Sequence, residues 1–169
     1  MSDLDFYADV ATRGDVLGVG RGSSPEMWEA ALGPDFLDDP GRGMLRRDYG
    51  LVELSFSSVE GVMSCFGIGV QVHRMLHGLR APTAVVRAYG EFAPRVPFGE
   101  LRTRIRSLGC EVEPEDVTGD VHRYRVPESG ARIFVVEDPD PYGHAEGDHD
   151  ADAPALHRVG DVWAVYPIW

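Results

Sequence analysis

The chain has no lysine and no asparagine, only two cysteines, few bases for its acids, and no long apolar run. Cys65 and Cys110 cannot build a disulfide framework, and without a secretory signature at the start they read as buried or half-buried free thiols. No stretch approaches the ~20 apolar residues of a membrane span, and Met-Ser-Asp-Leu-Asp offers neither the basic nor the apolar part of a leader, so a soluble, cytoplasmic protein is expected. All sixteen bases are arginine, a bias that fits a GC-rich coding sequence and carries no mechanism. Twenty-eight acids leave a formal net charge of -12, a field that repels nucleic acid and anionic membranes and attracts basic proteins. Catalytic signatures are missing as well. Gly-x-Ser-x-Gly does not occur. The glycine-rich segment Gly18–Ser24 lacks the lysine of a phosphate loop and has Ser23 where a dinucleotide pattern needs its third glycine, so it reads as a turn delivering the chain to a helix cap.

What is present is an ordinary folding composition. Hydrophobic residues make up 43% and aromatics 9% of 169 residues, enough for one domain or for two small halves sharing a core. The organising stretch is 46–72. Val52, Leu54 and Phe56 alternate with Glu53, Ser55 and Ser57, and after a turn at Glu60-Gly61 the residues Phe66, Ile68, Val70 and Val72 repeat the alternation. That pattern predicts an antiparallel hairpin with one buried face. Upstream, Ser23 or Ser24 caps a helix, Pro25 has no amide to waste in its first turn, and Gly33-Pro34 stops it, with Trp28, Ala31 and Leu32 facing the hairpin. A short helix is expected over 3–12, with Phe6 and Val10 one turn apart. An exposed acidic connection is expected over 35–43, and a strand or linker over 83–89. A further helix spans 98–108, with Phe98, Leu101, Ile105 and Leu108 on one stripe and Gly109 just past its end. Strands follow over 122–126, 132–137 and 161–169, the first two joined by Pro127-Glu128-Ser129-Gly130.

The order helix, Leu-Gly, acidic loop, tyrosine, hairpin occurs twice, about 75 residues apart, through Leu32-Gly33 and Tyr49, then Leu108-Gly109 and Tyr124. The predicted fold class is therefore α+β: two helix-plus-antiparallel-hairpin repeats forming a curved sheet with helices on one face. Residues 1–90 make the first αβ repeat with the N-terminal helix, and 91–169 the second, with an acidic loop over 138–154. Leu32-Gly33 followed by Tyr49-Gly50 and VELSF resembles the αβ repeat of the BamE-like and beta-lactamase-inhibitor-protein-like folds, over 23–72 and more loosely over 98–169. The chain also resembles the small acidic immunity proteins that neutralise bacterial toxins. That resemblance implies an assembly or inhibitor protein.

Candidate chemistry is thin. His144, Glu146, Asp148, His149, Asp150 and Asp152 could ligate a metal, but an EF-hand loop counted from Asp148 has Ala153 where glycine is required, and a solvated acidic loop explains the same residues. Cys65, beside Phe66 on the hairpin, reads as a core thiol. The expected function is a non-catalytic inhibitor or immunity-type protein that binds a basic protein such as a toxin or an enzyme, needing no cofactor and no metal. The expected contact residues are Glu53, Ser55, Gln71 and His73 on the polar sheet face, the acidic cluster Asp148, Asp150 and Asp152, and Trp163, a large rigid anchor on the last strand. Reversing the charge of Glu53 should leave thermal stability nearly unchanged while weakening partner binding. Two alternatives stand: a metal- or small-ligand-dependent enzyme built on His144, His149 and the acids, and an assembly scaffold whose partner stays active when bound.

Overall fold

A computed structural model describes residues 1–139 and 157–168, the last by its backbone alone. Four α-helices, α1 (Asp3–Arg13), α2 (Pro25–Leu32), α3 (Thr83–Tyr89) and α4 (Phe98–Ser107), and a 3-10 helix (Val72–His77) accompany eight strands. The strands are β1 (Leu37–Gly41), β2 (Met44–Asp48), β3 (Val52–Val59), β4 (Val62–Val70), β5 (Glu113–Thr118), β6 (Val121–Val126), β7 (Ala131–Val136) and β8 (Val162–Ile168). They form one open antiparallel sheet in the order β1-β2-β3-β4-β8-β7-β6-β5. The protein is thus α+β, with helices preceding each run of four strands.

Helix starts follow local chemistry. Ser2 caps α1 in a reciprocal box with Asp5, whose carboxylate accepts the Ser2 amide at 2.8 Å, and Ser24 Oγ accepts the Met27 amide of α2 at 3.2 Å. The helices bury one continuous core against the sheet, drawing Phe6, Val10, Trp28, Leu32, Leu101 and Ile105 together with Leu54, Phe56, Ile68, Val70, Ile133 and Val165. Helix α1 packs on α4, β7 and β8, whereas α2 packs on β4 and α3. The Tyr89 hydroxyl donates to Asp9 at 2.9 Å and Ser129 Oγ donates to the Ala11 carbonyl at 2.6 Å, so α1 is tied to segments far along the chain.

The central hairpin forms as the alternation predicts, with both Glu60 and Gly61 at positive φ (53° and 79°), the conformation of the tightest right-twisted turn. Phe66 departs from it. Phe56 faces Cys65 and Ser55 faces Gly67, leaving Phe66 as the extra residue of a β-bulge, so Cys65 takes the core place and Phe66 is exposed. Leu108, expected on the buried stripe, caps α4 and is likewise exposed. Residues 83–89 are helical, neither strand nor linker: Val85 and Tyr89 bury one face a turn apart while Val86 stays out. The acidic connection over 35–43 contains β1, and a matching acidic strand, β5, follows Cys110; both are outer strands zipped to arginines of their neighbours. Asp38 receives Arg47 Nε at 2.8 Å, Asp116 pairs with Arg123, and Glu113 lies 3.9 Å from Arg125. Each edge also carries a proline, Pro40 or Pro114, which has no N–H to offer an added strand.

Candidate functional site

One face of the sheet carries the residues that alternate with the core set. In register across β2, β3 and β4 these are Met44, Ser57 and Ser64, then Arg46, Ser55 and Gly67, then Asp48, Glu53 and Gly69. Beyond β8, with Tyr166, come Arg132 and Phe134 of β7, paired to Arg125 and Arg123 of β6. Its charges are cross-linked. Arg74, from the 3-10 helix, donates to Glu53 at 2.6 Å, to Asp48 at 3.1 Å and to the Gly50 carbonyl at 3.0 Å, while Arg46 lies 3.5 Å from Glu53. On the other wing Arg123 holds Asp116 and Arg132 holds Glu115 at 3.1 Å. The face is therefore nearly balanced in sign, whereas the segment 140–156 contains five acids and no base.

Of the expected contact residues, Glu53, Ser55 and Gln71 line one small cavity of about 100 Å³ with Gly67, Gly69 and Tyr166. The cavity exists because β4 has glycines here: a Cβ on Gly69 would stand 2.9 Å from Gln71 Nε2 and 3.1 Å from the Tyr166 ring. Gln71 is buried, its Oε1 accepting the Tyr166 hydroxyl at 3.4 Å, and Glu53 is held in the Arg74 network. Neither is the loosely solvated side chain that simple alternation suggests. His73 and Trp163 form a second group: the imidazole stacks on the indole at 4.1 Å with the rings 6° apart, and Nδ1 donates to the Trp163 carbonyl at 3.1 Å. His157 tilts against the same indole at 4.7 Å, with His77 6.0 Å from His157. Burial holds both His73 and His157 below the ordinary imidazole pKa, reinforced at His73 by Arg74 and at His157 by His77 and Arg95. Trp163 and His157 also line a cavity of about 210 Å³ with Asp120 and Asp138. Asp148, Asp150 and Asp152, with His144 and His149, lie outside the described residues.

Residues that sequence reasoning left out stand at the hairpin end of the same face. Met44, Val59 and Val62 are 48%, 64% and 65% exposed, with Val59 opposite Val62 and Met44 beside Ser57. The signal was there, since Val59 falls in step with Glu53, Ser55 and Ser57 rather than with the core set. Cys65 is a poor nucleophile: burial pushes its thiol up to about 11, and Sγ lies 3.4 Å from the Gly67 carbonyl. Among the described residues no group of three or more His, Cys, Asp or Glu could hold a metal ion, and no helix is long and apolar enough to cross a membrane. Comparison with known proteins found no matching protein family, no similar characterised protein and no similar solved structure.

Proposed function

We propose that this chain is a non-catalytic inhibitor or immunity-type protein that neutralises a protein partner by docking the sheet face opposite its helices. The observation that carries this reading is an exposed aliphatic corner, Met44, Val59 and Val62, on the face that also carries the Arg74 ion-pair network, in a sheet whose two outer strands are acidic and proline-bearing. Such edges discourage strand addition, which leaves the face as the surface for recognition. An exposed apolar patch beside a polar, charge-paired surface has the composition of a docking site, where apolar anchors adjoin polar surroundings. The net charge of -12, much of it in 140–156 rather than on the face, favours a basic partner, a toxin or an enzyme, and acts mainly on encounter.

The element order supports the two-repeat reading within this proposal. Helices then a four-strand meander occur twice, and the runs β1-β2-β3-β4 and β8-β7-β6-β5 meet at β4 and β8. Two such halves make one curved face from both, the arrangement implied by the resemblance to the BamE-like and beta-lactamase-inhibitor-protein-like folds. The test is affinity capture with the full chain and with Val62→Glu in parallel. The reading expects a basic protein that is retained by the first, lost with the second, and inactivated by stoichiometric addition of the unaltered chain. A partner that remains active when bound would instead indicate an assembly scaffold, and equal capture by both chains would move the interface off this face.

A further inference from the structure

We propose that the stack of His73 and His157 on Trp163 is an acid-sensitive latch across the junction of β4 and β8, the seam that joins the first four strands to the last four. This seam is lightly bonded. Among the described residues β4 meets β8 at Ile68 with Ile168 and at Val70 with Val165, with a register shift between them, whereas β3 and β4 pair along their whole length. Nearer its start, β4 is bonded on that side by a different segment: the Gly22 amide donates to the Cys65 carbonyl at 2.8 Å and the Cys65 amide to the Ser23 carbonyl at 2.9 Å. The hydrogen bond from His73 Nδ1 to the Trp163 carbonyl is thus an added tie between the end of the first half and β8.

That tie is made by a neutral imidazole in a crowd of cations. Arg74 and His77 share the 3-10 helix with His73; His157 and Arg158 lie just before β8; Arg95 comes from the segment before α4. The nearby carboxylates have commitments. Asp48 and Glu53 hold Arg74, and Asp161 accepts Arg95 at 2.9 Å. Asp120 and Asp138, which line the cavity beside His157, work against the latch by favouring its protonated form, as does Asp161. Two further effects act in the same opposing direction: cation–π attraction of an imidazolium to the indole, and the His73 hydrogen bond to the Trp163 carbonyl, which a charged ring still donates and which favours protonation. Burial and the like charges outweigh them: in the folded chain both imidazoles take up a proton only below the ordinary value, while the unfolded chain binds their protons near 6.5. The stability they contribute is whole above that pH and is lost as pH falls through 6.5 toward the lowered folded values. The docking face spans both halves, so an opened seam would also loosen a bound partner. That last consequence rests on the proposed function; the latch itself does not.

The experiment is thermal unfolding of the full chain at pH 7.5 and 5.5, with the triple variant His73→Gln, His77→Gln and His157→Gln alongside. The unaltered chain should melt at a clearly lower temperature at pH 5.5, and the triple variant should lose most of that difference. His122→Gln, which removes a ring stacked on Tyr124 rather than on Trp163, should keep it. Hydrogen exchange of the unaltered chain gives a readout that does not depend on the variant folding: at pH 5.5, corrected for intrinsic rates, amides of β4 and β8 should lose protection relative to those of β2 and β6. An unaltered melting temperature between the two pH values, a difference that survives in the triple variant, or protection lost uniformly across the sheet would each overturn the latch.

Discussion

Replacing Glu53 separates a solvated sheet face from a structured one. Alternation alone places Glu53 in water, where its charge could be reversed at little cost. In the folded chain its side chain is only 17% exposed and receives the guanidinium of Arg74, 22% exposed, at 2.6 Å. A hydrogen bond to a charged group contributes about 1.5–3 kcal/mol when buried, and partial exposure discounts this, so Glu53→Gln should cost about 1–2 kcal/mol. Glu53→Arg goes further, because it sets a third guanidinium beside Arg46 and Arg74 with Asp48 as the shared acid; a cost of about 2–3 kcal/mol follows. For a chain of this size that is a fall in melting temperature of roughly 4–12 °C. Chemical denaturation in low salt and again in 1 M salt checks both the magnitude and its cause, since a Debye length of ~3 Å should shrink the reversal penalty. A cycle with Arg74→Gln isolates the pair, with a coupling of about 1 kcal/mol expected. If Glu53→Arg melts within about 1 °C of the unaltered chain, the Arg74 network contributes nothing and the face is merely wet.

Four further outcomes follow from the core. Phe56→Ala, at a fully buried position facing Cys65, should cost about 3–5 kcal/mol by equilibrium unfolding, and a cost below about 1 kcal/mol would deny the core assignment. Tyr7 buries a hydroxyl that has no partner among the described residues, so Tyr7→Phe should leave stability unchanged or raise it by up to about 1 kcal/mol; a clear loss would reveal a partner for that hydroxyl. With its thiol raised to about 11, Cys65 should resist alkylation at pH 8 while Cys110 reacts, as mass spectrometry of the labelled peptides would show. Unfolded thiols titrate near 9, so the contribution of Cys65 to stability should fall as pH rises from 9 toward 11.

Much of the fold was legible where pattern is local. The capped α2, the stripe of α4 and the buried residues of β3 each follow from spacing within a few turns or strands of chain. The outer strands were not legible, because β1 and β5 bury almost nothing and so show no alternation. Their partners, Arg47 for Asp38 and Arg123 for Asp116, are nine and seven residues away and register only once the strands are paired. Residues 83–89 read as strand or linker, and tertiary burial of Val85 and Tyr89 on one face made them helical. The exposure of Phe66 depends on one bulge, which leaves Ile68 and Val70 on the core face but gives the core place before them to Cys65. At the site, the alternation placed Glu53 and Ser55 on the polar face but was silent on what they touch. His73 meets Trp163 across 90 residues, a contact set by the β4–β8 register alone.

The claim that the polar sheet face is the docking surface is tested most directly by measuring affinity for the captured partner with changes on that face and on a helix. Met44→Glu and Val62→Glu alter exposed side chains on the proposed face, and Thr103→Glu alters α4. Each should melt close to the unaltered chain. The account predicts that both face variants weaken binding at least tenfold, about 1.4 kcal/mol each, while Thr103→Glu binds as the unaltered chain does. Full affinity in Met44→Glu and Val62→Glu, with loss in Thr103→Glu, would contradict it.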